Sequence, residues 1–445
     1  MAEDRKNRKA PRRIAQVVLN SLKGGVVPRV GLPYVAVGRD KEIEAFLHDE
    51  EIIAEGGSAF RFIVGKYGSG KSFLLQTIRN YVLDKNFVVV DADLTPERRF
   101  QGTGGQGLAT YRELLKNMST RTKPEGGALS LILDKWISGV QLDVIKDKGL
   151  SPDDPELSGL TEKKIMEDIY SLNDMVHGFD FAKLIIFYYR AYVDGNDELK
   201  LKLIKWFRGE YMTKTDAKRE LGINIIISDD DWYDYLKLFA LFMTKAGYSG
   251  LYIMIDELVN IFKITNSITR QNNYEKMLSM YNDCLQGKAS HMGIIMCGTP
   301  ECMQDTRRGV YSYEALRSRL SEGRFSGEYK DMLAPVISLK PLSYEEMYIL
   351  IEKLSVLHSD LYDYQIRMSH EEMVGFLKFE FERIGAEKLI TPREVIRDYI
   401  EILDIMYQEK DVTVSDIIGK GIIGTTAKAS DEENDTEDEF AEFEI

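Results

Sequence analysis

The sequence predicts an α/β fold in which a parallel sheet alternates with helices, is interrupted by a long helical insertion, and is followed by a C-terminal helical lid. Three observations predict it. Phe60-Arg61-Phe62-Ile63-Val64 is a short apolar run, followed by a glycine-rich loop and then, from Phe73, by apolar residues at helical spacing. Similar runs at 87–90, 251–255 and 292–297 have the near-continuous hydrophobicity of strands covered on both faces. Between about 95 and 248 the strand pattern stops and the periodicity is largely helical.

At the start, residues 14 to about 25 read as a leading helix behind a basic arm of Arg5, Lys6, Arg8, Lys9, Arg12 and Arg13. The arm suits either contact with DNA or a solvated terminus. Val26-Val27-Pro28-Arg29 and Val37-Gly38-Arg39-Asp40 then precede the first strand.

After that strand, Gly65-Lys66-Tyr67-Gly68-Ser69-Gly70-Lys71-Ser72 fits the phosphate-loop pattern G-x-x-x-x-G-K-[ST], with strand before it and the helix of Phe73 after it. Glycines at 65, 68 and 70 let the backbone turn its N–H groups toward phosphates, where the helix dipole adds positive potential. Lys71 then reaches the β- and γ-phosphates and Ser72 ligates Mg²⁺. The motif makes the chain a nucleotide binder.

Within the insertion, helices are expected near 108–118, 161–173, 179–193, 197–211 and 231–246, with Pro152, Pro155 and Gly159 breaking its middle. The glycine-rich loop 101–107 imitates a dinucleotide fingerprint but lacks a free preceding strand, so no cofactor is assigned to it.

The α/β pattern resumes with Leu251-Tyr252-Ile253-Met254-Ile255-Asp256-Glu257, a strand ending in two acids. Asp256 is placed to complete the Mg²⁺ shell and Glu257 to polarise an attacking water; the duller alternative is that both cap the next helix. A helix around 273–285 leads to the strand 292–298, which ends in Thr299, read as a phosphate or water sensor or else a simple turn residue. Arg317 and Arg319 follow on one helical stretch. Arginine stabilises charge on a transferring phosphoryl group and can come from a neighbouring subunit, which favours Arg319 as that residue and a homo-oligomer as the state.

Ser343-Tyr344-Glu345-Glu346 and Thr391-Pro392-Arg393-Glu394 both fit the capping box and mark two helix starts in the lid. Arg393 stands in a first turn, where a cation opposes the helix dipole; a γ-phosphate or a nearby carboxylate would explain it.

Composition sets the outer limits. The 445 residues carry a formal charge of −14, which disfavours coating of nucleic acid by a monomer. Nine acids and no base fall between Ser430 and Ile445, so this tail is expected to be disordered. It serves either solubility or the docking of Phe440, Phe443 and Ile445 into a partner's pocket. No run of eighteen apolar residues and no signal-peptide core is present, so no membrane role and a cytoplasmic location are expected. Three cysteines and five histidines show neither a disulfide framework nor zinc-ligand spacing.

Taken together, these residues resemble the AAA+ ATPases, particularly the origin-recognition-like branch. Val37-Gly38-Arg39-Asp40 looks like that branch's nucleotide-base motif. Lys71, Asp256-Glu257, Thr299, Arg319 and Arg393 match Walker A, Walker B, sensor 1, arginine finger and sensor 2 in order. Pro28, Arg29, Gly38 and Arg39 join the phosphate loop (Gly65 through Phe73) as implied ATP contacts. Gly24 to Arg29, the phosphate loop, Trp206-Phe207-Arg208-Gly209-Glu210, Gly247-Tyr248-Ser249-Gly250-Leu251 and Thr391 to Glu394 also look like the ATP-binding proteins of bacterial phage-exclusion (BREX) systems, and similar proteins occur in Shango-type defence. The resemblance implies a P-loop NTPase, AAA+-like core using ATP and Mg²⁺, an anti-phage ATPase acting with a DNA helicase and other defence proteins, and DNA reached through that complex. An ATP-gated scaffold with little turnover is the other reading.

One departure stands out: Asp256 lies 185 positions after Lys71, so the helical block between them is extra to the usual core. The expected organisation is a basic arm and leading helix at 1–25, the first part of the core at 26–94, the insertion at 95–248, the second part of the core at 249–340, the lid at 341–428 and the acidic tail at 429–445.

Overall fold

Each buried apolar run forms a strand. β1 (Ser58–Val64), β2 (Val88–Asp93), β3 (Leu251–Asp256), β4 (Met292–Gly298) and β5 (Val336–Ser338) make one parallel sheet in the order β2-β3-β4-β1-β5. The computed structural model describes residues 9–321, 331–383 and 391–419. Arg5, Lys6 and Arg8 of the basic arm and the acidic run 430–445 lie outside the described residues. The chain leaves β1 for the far edge at β2, returns through β3 and β4, and ends beyond β1 at β5. Such a reversal opens a crevice at the carboxyl ends of the strands, where ligands of open α/β sheets bind.

The helices, in chain order, are α1 (Arg12–Lys23), α2 (Asp40–Ala54) and α3 (Lys71–Asp84), then the insertion between β2 and β3, comprising α4 (Gln106–Lys116), α5 (Leu129–Lys148), α6 (Leu157–Asp168), α7 (Gly178–Val193), α8 (Asp197–Phe207), α9 (Lys214–Leu221) and α10 (Trp232–Lys245). After β3 come α11 (Val259–Phe262), α12 (Ser267–Leu285), α13 (Pro300–Gln304) and α14 (Glu314–Leu320), and after β5 come α15 (Tyr344–Tyr362), α16 (His370–Arg383) and α17 (Pro392–Gln408).

Packing divides the chain into two compact units. One comprises Met1–Arg39, Tyr67–Phe73 and Lys340–Ile445; the other comprises Asp40–Lys66 and Leu74–Leu339.

The larger unit holds the sheet, and its period-two alternation builds two cores. Phe62, Val90, Ile253, Ile255, Ile294 and Met296 face the insertion helices. Ile63, Val89, Tyr252, Met254, Ile295 and Cys297 face α2 and α3, meeting Phe46, Ile53, Leu74, Ile78 and Val82. Covering both faces is what keeps an all-parallel sheet dry. α10 is buried on nearly every side through Trp232, Tyr233, Tyr235, Leu236, Leu238, Phe239, Phe242 and Met243, and so forms the centre of the insertion.

Two insertion helices, α5 and α9, were not expected. In α5, Leu129, Ile132, Leu133, Trp136, Ile137, Val140 and Val144 form a buried stripe at helical spacing, and Gly149 ends it in the left-handed region. The short α9 begins where the Thr213 hydroxyl accepts the N–H of Asp216. α12 starts at Ser267 rather than near 273 because Asn266 caps it, its side chain accepting the Thr269 N–H at 3.0 Å. The loop 101–107 is occupied by a carboxylate of the chain itself. Asp229 accepts the N–H groups of Gly102 (3.2 Å) and Leu108 (2.8 Å) beside the start of α4.

In the smaller unit, α1, α15, α16 and α17 share a core that includes Val18, Leu22, Leu350, Ile351, Leu354, Phe376, Val395, Tyr399 and Leu403. Both expected capping boxes form, at Ser343 with Glu346 and at Thr391 with Glu394. The imidazole of His358, 1% exposed, bonds the Tyr364 hydroxyl at 2.8 Å and Asp404 Oδ1 at 3.0 Å, while Lys23 Nζ donates to Asp404 Oδ2 at 2.6 Å. This polar string joins α1, α15 and α17.

Candidate nucleotide-binding site

In the larger unit, the predicted acids stand at the carboxyl edge of the sheet. β1 ends at Val64, and the N–H of Gly65 donates to the Gly298 carbonyl at the end of β4 (3.1 Å), which fixes where the phosphate loop departs. Lys66, next in the chain, is exposed. β3 ends at Asp256, whose side chain is largely buried and whose carbonyl accepts the N–H of Leu94 at 3.1 Å.

Glu257 follows with φ of 62°, in the left-handed region that a residue with a side chain rarely adopts. Its N–H donates to Asp256 Oδ1 at 2.7 Å, and Leu258 N–H donates to the Cys297 carbonyl at 3.0 Å. The chain thus turns sharply right after the Asp256 carboxylate. Left-handed conformations cost a residue with a Cβ roughly 1–2 kcal/mol, and such strain is characteristic of functional sites.

Asp93 is paired in register with Asp256 across β2 and β3. Solvent reaches the Asp93 carboxyl, yet desolvation, followed by the charges of Asp256 and Asp91, pushes its pKa above the ordinary value.

Thr299 lies just past β4 and is buried; its Oγ1 accepts the Cys302 N–H at 3.4 Å as the cap of α13. Arg319 is exposed on α14, with Nη1 donating to the Ala315 carbonyl at 2.7 Å, while the neighbouring Arg317 pairs with Glu314 at 3.6 Å.

In the smaller unit, the loop residues 67–73 pack among the N-terminal and C-terminal segments. Gly68 and Gly70 have φ of +76° and +86°. A Cβ on Gly68 would lie 2.5 Å from both Cβ and Cγ2 of Thr391, so the loop passes directly under the cap of α17. Ser69 is 2% exposed, and its carbonyl accepts Arg39 Nη2 at 2.9 Å.

Lys71 opens α3 with its ammonium 5.4 Å from the ring centre of Tyr67, a ring 64% exposed. Ser72 is half-buried, and Phe73 packs against the core of this unit. Among the other predicted contacts, Pro28 is buried and Arg29 exposed. Gly38 fits closely against Glu346, since a Cβ there would lie 2.1 Å from Glu346 Oε1, and Arg39 is 8% exposed. Arg393 is exposed, its Cδ 3.4 Å from where a Gly25 Cβ would be; Arg397 pairs with Asp398 at 3.0 Å.

Three neighbours were not singled out from the sequence: Thr391 at Gly68, Glu346 at Gly38 and Asp93 at Asp256. Each lay in a legible segment, two in capping boxes and one in Asp91-Ala92-Asp93. Which loop they meet is a tertiary fact.

Residues 10–421 match the family described as BREX system ATP-binding protein BrxC/D. The chain belongs to this family. A comparison with curated proteins finds no match. As a member, it is an ATP-binding protein of a defence system, and its α/β fold is that of a P-loop NTPase core. Among the described residues, no helix is long and apolar enough to cross a membrane.

The loop suits a phosphate on a further ground. Ser69 Oγ is buried without a hydrogen-bond partner among the described residues, which leaves its hydroxyl for an anion at the start of α3. A hydroxyl such as that of Ser72, in the smaller unit, and a carboxylate such as that of Asp256, in the larger unit, are each hard oxygen groups of the type that Mg²⁺ takes.

Proposed function

We propose that this chain hydrolyses ATP to ADP and phosphate, and that turnover drives assembly or remodelling of a defence complex containing a DNA helicase on DNA. The observation that carries this reading is Glu257, a carboxylate held in a left-handed turn directly after Asp256 at the carboxyl edge of β3. A residue that only capped a helix would not need that conformation.

In this reading Lys71 and the loop N–H groups hold the phosphates, and Ser72 and Asp256 would hold Mg²⁺, which would supply positive charge toward the phosphates. Glu257 accepts a hydrogen bond from the attacking water and aligns it as its oxygen bonds to the γ-phosphorus and the bond to the bridging oxygen breaks, the electron pair leaving with ADP and the water's proton with the phosphate product. Thr299 and Arg393 sense the γ-phosphate, with Thr299 donating its hydroxyl proton while its lone pair stays on Cys302 N–H. Pro28, Arg29, Gly38 and Arg39 surround the base side of the nucleotide. Arg319, exposed on α14, is offered to the site of a neighbouring copy, so the active form is a homo-oligomer. The protein works in the cytoplasm, and it meets DNA through its complex.

The test is steady-state ATP hydrolysis by the wild type and Glu257→Gln, each alone and with DNA plus a DNA helicase of the same defence system. Turnover that falls by about 10²–10⁴ in the variant and rises with partners supports the proposal. ATP binding with no turnover in any mixture sinks the hydrolytic reading and leaves an ATP-gated scaffold. For Arg319, specific activity that rises with protein concentration supports supply in trans; a constant value removes it from that role.

A further inference from the structure

Arg39 has a task that its place in a base-contact motif does not describe. A single guanidinium nitrogen, Nη2, donates to the Ser69 carbonyl in the middle of the phosphate loop at 2.9 Å and to the Lys340 carbonyl at 2.8 Å. Lys340 opens the C-terminal segment of the same unit, 301 positions along the chain. Burial of the side chain, 8% exposed, strengthens both charge-assisted bonds.

The first bond sets the direction of a peptide plane. In a trans peptide the carbonyl of Ser69 and the N–H of Gly70 point opposite ways, so a cation that holds the carbonyl on one side presents the N–H on the other. That N–H belongs to the phosphate cradle at the start of α3. A Cβ on Gly70 would lie 4.0 Å from the same guanidinium nitrogen, so the loop rests directly on Arg39. The second bond carries the loop's position to residue 340, and the close seat of Gly68 under Thr391 gives the loop another contact with the same C-terminal segment.

We propose that Arg39 is a positioning residue that orients the phosphate cradle through Ser69 and couples nucleotide occupancy to the C-terminal helices through Lys340. This rests on the ATP-binding role of the loop. The lysine ammonium ends short of the Arg39 Nη2 position and lacks the planar fork, and a glutamine lacks the charge; neither holds both carbonyls as Arg39 does.

The experiment compares full-length wild type, Arg39→Lys and Arg39→Gln using the β,γ-imido analogue of ATP with Mg²⁺. Calorimetry gives affinity, and amide hydrogen exchange at saturating analogue reports on 67–73 and 392–408. The wild type is expected to bind and to slow exchange in both segments. Each variant is expected to bind roughly tenfold more weakly and, once saturated, to protect 67–73 but not 392–408. A folded variant with wild-type affinity, or one that protects both segments when saturated, overturns the proposal even if its melting temperature is lower, because Arg39 is then only structural. A wild type that fails to bind the analogue removes the ATP-binding role of the loop, and this proposal with it.

Discussion

Gly68 in the phosphate loop and Thr391 at the start of α17 leave no room between them for a side chain: a Cβ on Gly68 would lie 2.5 Å from the Thr391 Cβ and 3.3 Å from its Cα. The Cα is backbone of a capped helix end and yields little. Gly68 also has φ of +76°. Gly68→Ala therefore meets two penalties, roughly 1–2 kcal/mol for the left-handed conformation and about 1–3 kcal/mol for overpacking. Chemical denaturation should show a loss in the smaller unit of about 2–5 kcal/mol, together with weaker ATP binding. A loss below about 0.5 kcal/mol would mean that α17 shifts freely away from the loop.

Glu257 should display a trade between stability and activity. Glycine adopts φ of 62° without the Cβ penalty, so Glu257→Gly is expected to unfold at higher denaturant, by about 1 kcal/mol, while losing hydrolysis. A less stable Glu257→Gly would show that the carboxylate contributes more to folding than its backbone strain costs.

In the larger unit, β1 is anchored by a buried ion pair. Arg61 Nε and Nη2 donate to the two Asp49 carboxylate oxygens, each at 2.6 Å, and Nη1 donates to the carbonyls of Leu333 and Ala334 at 2.5 and 2.6 Å. The side chains are 8% and 5% exposed. Asp49→Ala leaves a buried guanidinium without its counter-ion and should cost about 3–5 kcal/mol by urea denaturation. A cost near zero would mean that water or another carboxylate reaches Arg61.

The string Tyr364, His358, Asp404 and Lys23 gives the smaller unit a dependence on acid. Burial raises the Asp404 pKa, but the hydrogen bonds from His358 and Lys23 outweigh it, and the net shift is downward from 3.8. A folded-state pKa below the unfolded value adds stability that is fully present above the unfolded value and is lost as pH falls through the folded one. Asp404→Asn should therefore be less stable than the wild type at pH 5 and above, and the gap should close as pH drops below about 4. Denaturation curves across that range check it; a gap that persists undiminished in acid would assign the loss to packing rather than charge.

By itself, the sequence determined four of the five strands, the phosphate-loop motif, the place of Asp256 and Glu257 at the end of β3, and the two capping boxes; β5 (Val336–Ser338) was not expected. Each is written in consecutive residues: Ile63 and Val64 before the loop, Thr391 three places ahead of Glu394, five apolar residues before Asp256. Their signals are local, because burial of a strand and capping of a helix depend on neighbours in the chain. The signal of α5 is equally local, its stripe from Leu129 to Val144 being present in the residues.

Only the tertiary structure decided that Glu257 turns left-handed, that Asp93 stands beside Asp256, that Asp229 fills the glycine-rich loop at 102–108, and that one nitrogen of Arg39 joins Ser69 to Lys340. These depend on which segments meet after long excursions of chain. Neither propensity nor spacing encodes such meetings, because packing and the pairing of buried polar groups select them across the whole fold at once.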